Sequence, residues 1–153
     1  MLAVNVHELE LVEQRTDTDP TLGCRVAFPI YAATGAAASA VVYFEVAPGE
    51  RLGLHTDSAE EVLLVLAGDA EAEVDGERVR LGPGGLAVIP AMAPHDVRNV
   101  GQETLRVVGF FAANTLVHRF FEYEAGIVEA VFIHSSRGME ALTATPSPVP
   151  AVS

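Results

Sequence analysis

The sequence predicts an all-β protein, built as a sandwich or a barrel. Strand-like segments are short, follow one another at regular spacing and are separated by turns that contain Gly or Pro. The pair Asp75-Gly76 lies between two alternating segments, which is the strongest local signal for a β-hairpin. The chain has 153 residues, half of them hydrophobic, and this is enough for one domain with a substantial core.

The N-terminal part predicts strands of unequal strength. Segments 4–6 and 9–11 alternate weakly and predict one or two edge strands. Segment 24–31 predicts a strand that Pro29 interrupts, as at a sheet edge or a bulge. Segment 40–46 is rich in β-branched and aromatic residues and predicts a strand that ends at a Pro-Gly pair.

The middle of the chain carries the clearest strand signals. Segment 61–67 is nearly all apolar, which predicts a strand buried on both faces. A buried helix can have the same apolar composition. The Gly-Asp pair after the segment and the alternating run that follows favour a strand. Further strands are predicted at 70–74, 78–81, 86–89, 95–99 and 104–111.

The C-terminal part is less regular. Asn114 can cap a helix over 115–123, in which Leu116, Phe120 and Tyr123 would share one face. Segment 126–133 is apolar and suits either a last strand or part of a helix. The remainder from Met139 is rich in Ala, Thr, Ser and Pro, so we expect an extended or disordered tail.

The charge balance excludes two classes of partner. The chain carries 21 acidic and 9 basic residues, a net charge of −12, and has no basic run. Nucleic acids and anionic membrane surfaces both need clustered Lys or Arg. No apolar run is long enough to span a bilayer, and the N-terminus does not have the pattern of a signal peptide. With a single cysteine, Cys24, no internal disulfide is possible, and we expect a cytoplasmic protein.

Two polar stretches next to predicted strands carry the candidate chemistry. His55 and Asp57 are two residues apart, so in a strand both side chains point to the same face. Glu61, with Glu60 as the alternative, begins the next strand, and His95 begins a strand further along. Two imidazoles with one or two carboxylates suit Fe, Mn, Ni, Zn or Cu as divalent ions, with positions left open for dioxygen or a chelating substrate.

The same two stretches resemble the two motifs of small single-domain cupins of the quercetin-dioxygenase-like kind. The first motif is matched by Gly49, His55, Glu61 and Gly68, with Asp57 where the family has a second His. The second motif is matched by Gly84, Pro90, His95 and Asn99, with Met92 where the family has Gly. The resemblance covers about 40–111 in order and spacing.

The resemblance implies a cupin-type double-stranded β-helix, that is, a small jelly-roll barrel, which is often a homodimer. Together with the strand and composition patterns outside the motifs, it leads us to expect an N-terminal extension with edge strands (1–35), the barrel core (36–112), a C-terminal helix or strand extension (113–140) and a flexible tail (141–153). It also implies a divalent transition metal held by His55, Glu61 and His95. Asp57 would be a direct ligand, an outer partner of a ligand, or neither.

Three functional classes are compatible with these residues. The preferred one is an oxygen-dependent metalloenzyme of the dioxygenase kind, acting on a small organic substrate inside the barrel. The second is a non-redox metal-dependent isomerase, lyase or decarboxylase, in which Glu61 or Asp57 serves as the catalytic carboxylate. The third is a non-catalytic cupin that binds a small molecule.

Other polar residues lie outside the motifs. His7, His118 and His134 have no motif around them and are expected to be surface or core residues. Arg51 and Arg98 are the cations nearest the motifs in sequence, so either is a candidate contact for an anionic substrate.

Overall fold

The computed structural model describes residues 1–16, 19–121 and 129–144, and these contain thirteen strands. Two short 3-10 turns, Val6–Glu8 and Ala32–Thr34, accompany them. The strands are β1 Val12–Arg15, β2 Gly23–Ile30, β3 Ala40–Val46, β4 His55–Asp57, β5 Glu61–Ala67, β6 Ala70–Val74, β7 Glu77–Leu81, β8 Leu86–Ile89, β9 His95–Asn99, β10 Leu105–Phe111, β11 Leu116–Phe120, β12 Glu129–Ser135 and β13 Gly138–Ala144.

The strands form two sheets that face each other as a jelly-roll barrel, the architecture that the cupin resemblance implies. One sheet has the order β1-β2-β3-β10-β5-β8, and the other has the order β13-β12-β11-β4-β9-β6-β7. Every pairing between these strands is antiparallel. The all-β prediction is confirmed. Strands from both ends of the chain, β1 and β2 at one end and β11 to β13 at the other, extend the two sheets.

The predicted Asp-Gly hairpin is confirmed. Val74 pairs with Glu77 across the two-residue turn. Asp75 and Gly76 have φ values of 49° and 83°. Two successive positive φ values give the turn a twist that matches the twist of the flanking strands. The neighbouring strands β3, β5, β8 and β9 also lie where the sequence predicts them.

Strand β5 is not buried on both faces, as its composition predicted. Glu61, Leu63 and Val65 are buried on the inner face, whereas Leu66 on the outer face is 37% exposed. The outer side chains of β5, Val62, Leu64 and Leu66, are apolar, although other described residues cover them only in part. Composition alone therefore overestimated burial, because an apolar outer face gives the same sequence signal as a second buried face.

The helix predicted over 115–123 is wrong for the residues that the structure describes there. Residues 116–120 form β11, which pairs with β4 on one side and with β12 on the other. Leu116 and Phe120 are four residues apart, which fits one face of a helix. It also fits one face of a strand, because residues separated by an even number of positions point to the same side. Asn114 caps no helix, and its Nδ2 donates instead to the Ala36 carbonyl at 2.9 Å.

The N-terminal strands also differ from expectation. The first strand is Val12–Arg15 and follows a 3-10 turn at Val6–Glu8, so neither 4–6 nor 9–11 is a strand. The predicted interruption at Pro29 is confirmed, because the β2–β3 register shifts between Ala27 and Ile30.

The ambiguous C-terminal segment is resolved only in part. Residues 129–133 belong to β12, and 126–128 lie outside the described residues. Of the expected tail, residues up to Ala144 form β13, and 145–153 lie outside the described residues. Among the helices of the described residues, none has the length and apolar character needed to cross a membrane.

Candidate metal centre and its cavity

A cavity of about 250 Å³ lies between the inner faces of the two sheets. Its wall is mostly apolar, with a polar region formed by His55, Asp57, Glu61 and His95. The aromatic part of the wall comes from five phenylalanines, Phe28, Phe44, Phe111, Phe120 and Phe132. An apolar chamber with a few converging polar groups is the usual form of a small-molecule site.

The register of three adjacent strands brings the polar side chains together. Strand β4 lies between β9 and β11. His55 is directly opposite His95 on β9, and Asp57 is directly opposite His118 on β11. Side chains of directly opposed residues lie on the same face of a sheet. One inner row therefore carries three imidazoles and a carboxylate.

Both motif histidines are oriented by the backbone. His55 Nδ1 lies 2.7 Å from the Gly53 carbonyl oxygen, and His95 Nδ1 lies 2.8 Å from the Ala93 carbonyl oxygen. Because a carbonyl only accepts hydrogen bonds, each Nδ1 carries the proton and each Nε2 is left with a free lone pair. This is the arrangement of histidines that bind metals through Nε2.

Asp57 lies between the imidazoles and is 2% exposed. Its Oδ1 accepts a hydrogen bond from His118 Nδ1 at 2.5 Å. Its Oδ2 lies 3.1 Å from His95 Nε2 and 3.7 Å from His55 Nε2. Although burial opposes ionisation, the surrounding histidines His55, His118 and His95 lower the pKa of Asp57 below its usual range.

These donors fit a divalent metal ion. Ligand atoms of His55, Asp57 and His95 all lie within 4.8 Å of one another. Asp57 Oδ2 and His95 Nε2 are buried, and no group in the described part of the chain makes a hydrogen bond with either atom. Two facing acceptors without a partner need a positive charge between them. Burial alone would lower the pKa of His95, but the nearby carboxylates of Asp57 and Glu61 raise it to about 10, so a proton supplies this charge when a metal does not.

Glu61 lies beside this group. Its Oε2 is 3.7 Å from His95 Nε2, and burial raises the pKa of Glu61. The carboxylate rests against the backbone of Gly109 on β10: a Cβ at Gly109 would overlap Glu61 Oε1 and lie 2.7 Å from Val42 Cγ1. The resemblance places Glu61 among the ligands, whereas the tight group of three donors contains Asp57 as its carboxylate.

Two histidines without a motif also lie in the cavity wall. His118 and His134 are both buried, and their ring centroids are 5.2 Å apart. Neither histidine belongs to a sequence motif, and both were expected only to be surface or core residues. Alternation within β11 places His118 on the same face as Phe120, but its position opposite Asp57 depends on a pairing between distant segments.

The two arginines near the motifs lie away from the cavity. Arg51 Nη1 is 2.8 Å from Asp96 Oδ2, and its Nη2 is 3.4 Å from Asp19 Oδ2. Arg98 is exposed on β9. Among the residues that the structure describes, neither Lys nor Arg lines the chamber.

Comparison with known families and structures agrees with this architecture. Residues 42–111 match the family model described as a cupin domain. This segment contains His55, Asp57, Glu61 and His95. None of the curated proteins compared with the chain matches its sequence.

Several solved structures share the fold. A predicted oxalate decarboxylase from Thermotoga maritima superposes with a TM-score of 0.63 at 16% identity, over 73% of this chain and 99% of that chain. The polyketide cyclase RemF from Streptomyces resistomycificus gives 0.59 at 22% identity, over 72% and 78%. An oxalate decarboxylase from Lactobacillus farciminis gives 0.58 at 22% identity, over 68% and 31%. These similarities establish a fold that hosts different activities, so they assign no reaction.

Proposed function

We propose that this chain is a metal-dependent cupin enzyme of the dioxygenase kind, acting on a small, largely apolar organic molecule inside the barrel. The observation that carries the proposal is the buried group of two imidazoles and one carboxylate, His55, His95 and Asp57, at the end of an apolar chamber. Two His and one carboxylate that leave coordination positions vacant are typical of non-haem Fe(II) oxygenases.

The chain's own residues would hold and orient the ion. His55 Nε2, His95 Nε2 and one Asp57 oxygen supply the donors, and His118 holds Asp57 through its other oxygen. A redox-active ion such as Fe(II) would supply the chemistry with dioxygen. Burial raises the pKa of Glu61, so its carboxyl group binds a proton more readily than an exposed one. It can exchange that proton with a substrate next to the donors. The phenylalanines exclude water from this region.

The chamber favours an uncharged substrate. Its described wall holds neither Lys nor Arg, and Arg51 is paired with acidic residues outside it. A small dianion would lose its hydration in the chamber without gaining a cationic side chain, which is costly. An apolar or aromatic molecule would instead pack against the phenylalanines.

A second candidate is a non-redox metal-dependent lyase, isomerase or decarboxylase. Glu61 favours it, because a buried carboxyl with a raised pKa next to a metal site is suited to general acid–base catalysis. The folds of the polyketide cyclase and of the oxalate decarboxylases are compatible with this alternative. A non-catalytic, ligand-binding cupin is the third possibility.

Metal analysis of four variants tests the ligand assignment. We expect purified parent protein to retain a stoichiometric transition metal. His95→Ala and Asp57→Ala should each lower metal affinity by roughly 100-fold or more, because each removes a donor. Glu61→Gln should keep the affinity within roughly tenfold. His7→Ala, which changes an exposed histidine, is the control and should behave like the parent.

The identity of the metal and the use of oxygen then separate the candidate functions. Retention of Fe, together with oxygen consumption that depends on an added aromatic substrate, supports the dioxygenase proposal. Retention of Zn without oxygen consumption favours the non-redox enzyme. If Glu61→Gln loses metal as completely as His95→Ala, Glu61 is a ligand and the three-donor assignment is wrong. Absence of metal from parent protein, even after incubation with Fe(II), Mn(II) or Zn(II), contradicts both enzyme proposals.

A further inference from the structure

Two further imidazoles lie in the chamber wall next to the three donors and are not among them. His118 on β11 and His134 on β12 occupy adjacent strands, and their ring planes are inclined by 80° with centroids 5.2 Å apart. Both side chains are more than nine-tenths buried, and both line the cavity. They therefore form one polar patch within an otherwise apolar part of the wall.

Each imidazole has a buried ring nitrogen that lacks a partner among the described residues. These atoms are His118 Nε2 and His134 Nδ1. Leaving a buried polar atom unsatisfied costs about 1–3 kcal/mol. Native proteins keep few such atoms, so a pair of them in one cavity wall calls for a hydrogen-bonding partner inside the cavity.

The surrounding side chains hold both rings in place. The Phe28 ring stacks on His134 with centroids 3.8 Å apart and planes inclined by 27°, and the Tyr31 ring contacts His134 edge-on at 5.3 Å. His118 is held by its Nδ1 hydrogen bond to Asp57. Rings that are fixed in this way form a pre-organised recognition element, which lowers the entropic cost of binding.

The chemistry of the two nitrogens selects a hydroxyl group. His118 Nδ1 donates to Asp57, so Nε2 is the ring nitrogen left for a ligand in the chamber. Burial, with a contribution from His118, lowers the pKa of His134 to about 4, so this ring is neutral at pH 7. A hydroxyl both donates and accepts and can therefore satisfy the two nitrogens together, whereas a carboxylate cannot donate to Nε2.

We propose that His118 Nε2 and His134 Nδ1 form a hydroxyl-binding subsite for a hydroxylated aromatic ligand, whose ring packs against the phenylalanines of the chamber. The subsite adjoins the metal donors through the His118–Asp57 hydrogen bond, so a ligand held there lies next to them. The inference rests on the proposed function only in taking this chamber as the place where substrate binds.

Paired probes test the subsite in metal-free protein, where coordination of a phenol by a metal cannot contribute. The probes are 4-methylphenol and toluene, which differ by one hydroxyl, and calorimetry gives both affinities. We expect the preference for 4-methylphenol over toluene to fall by roughly tenfold in His134→Phe, which keeps a ring and removes the nitrogens. His7→Phe is the matched control and should keep the parent's preference. Unchanged preference in His134→Phe overturns the proposal.

A measurement on the parent protein makes the test independent of whether the variant folds. The ¹⁵N resonances of His118 Nε2 and His134 Nδ1 should shift on addition of 4-methylphenol and stay in place with toluene. Equal responses to the two probes overturn the subsite and identify water as the partner of these nitrogens. Metal retention is measured separately, so the two proposals can fail independently. If the protein binds metal but does not prefer 4-methylphenol to toluene, the subsite is refuted and the enzyme proposal stands. If it prefers 4-methylphenol but binds no metal, the enzyme proposal is refuted and the subsite stands.

Discussion

At the scale of single residues, two backbone positions explain features of the motifs. Gly109 leaves the space that the buried Glu61 carboxylate occupies. Met92 stands where the resembling motif has Gly, and its φ of 65° lies in the left-handed region that Gly adopts without strain. Its side chain is exposed, so no core contact opposes this backbone conformation. Motif spacing identifies position 92 but not Gly109, whose importance depends on its contact with Glu61 on a neighbouring strand.

Adding one methyl group at Gly109 should displace Glu61. We expect Gly109→Ala to lower the free energy of unfolding by about 1–3 kcal/mol, because the new Cβ overlaps the carboxylate. Chemical denaturation measures this loss. Metal affinity should stay within roughly tenfold of the parent, since the three donors are untouched.

A second variant isolates the cause of that destabilisation. If the overlap with Glu61 is responsible, Gly109→Ala should cost less stability in a Glu61→Ala background than in the parent. An equal cost in both backgrounds would instead place the strain at Val42, whose Cγ1 is the other close neighbour.

At the scale of elements, Asn99 holds the end of β9 to the turn that follows. Its Nδ2 donates to the Val46 and Glu103 carbonyls at 2.8 and 2.7 Å, and its Oδ1 accepts from Gly101 N at 2.9 Å. The side chain is 2% exposed. The residue that completes the second motif thus joins β9, β3 and the β9–β10 turn and does not touch the metal donors.

Truncating Asn99 should therefore affect folding and leave the metal donors in place. We expect Asn99→Ala to destabilise the protein by about 2–4 kcal/mol, because buried carbonyls and an amide lose their partner. Thermal or chemical denaturation measures the loss, and Gln102→Ala, an exposed change in the same turn, should cost little. A loss below about 0.5 kcal/mol in Asn99→Ala, the range of ordinary surface changes, would contradict this structural role.

The sequence predicts an element well when the interactions that form it involve residues close together in the chain. The hairpin at Asp75-Gly76 and strands such as β8 and β9 follow from alternation and turn chemistry within a few residues. Strand β11 was misread because an i,i+4 pair of apolar residues suits both a helix and a strand. The role of His118 was missed for another reason: its partner Asp57 lies 61 positions away, and no local pattern encodes that pairing.

At the scale of the whole molecule, the sheet that contains β5, β8 and β10 has an apolar area at the centre of its outer face. Val88 and Leu86 on β8 are 60% and 63% exposed, and Phe110 on β10 is also exposed. Val62 lies between Val88 and Phe110 in the sheet, which makes the apolar surface continuous. At one margin Glu45 pairs with Arg25 and Arg106. An apolar centre with a margin of both charges suits a two-fold contact with a second copy of the chain.

We expect the protein to be a homodimer through this face. Light scattering with size-exclusion chromatography should give a dimer mass for the parent and a monomer mass for Val88→Asp, because the new charge would be buried at the contact. Val79→Asp is the matched control, since Val79 is similarly exposed but lies on β7 of the other sheet. A monomeric parent, or two variants that dissociate alike, would exclude this face as the interface.

The chamber wall comes from two kinds of sequence. All three candidate metal donors lie within 42–111, the part that matches the cupin model. Phe28, His118, Phe132 and His134 lie outside it, on strands that only extend the sheets. One flanking strand also supports the donors, because His118 on β11 hydrogen-bonds Asp57 and Phe120 stacks on His55. We therefore expect ligand fit and metal binding to be coupled through β11, so that a chimera that exchanges the flanking strands changes the ligand preference and the metal affinity together.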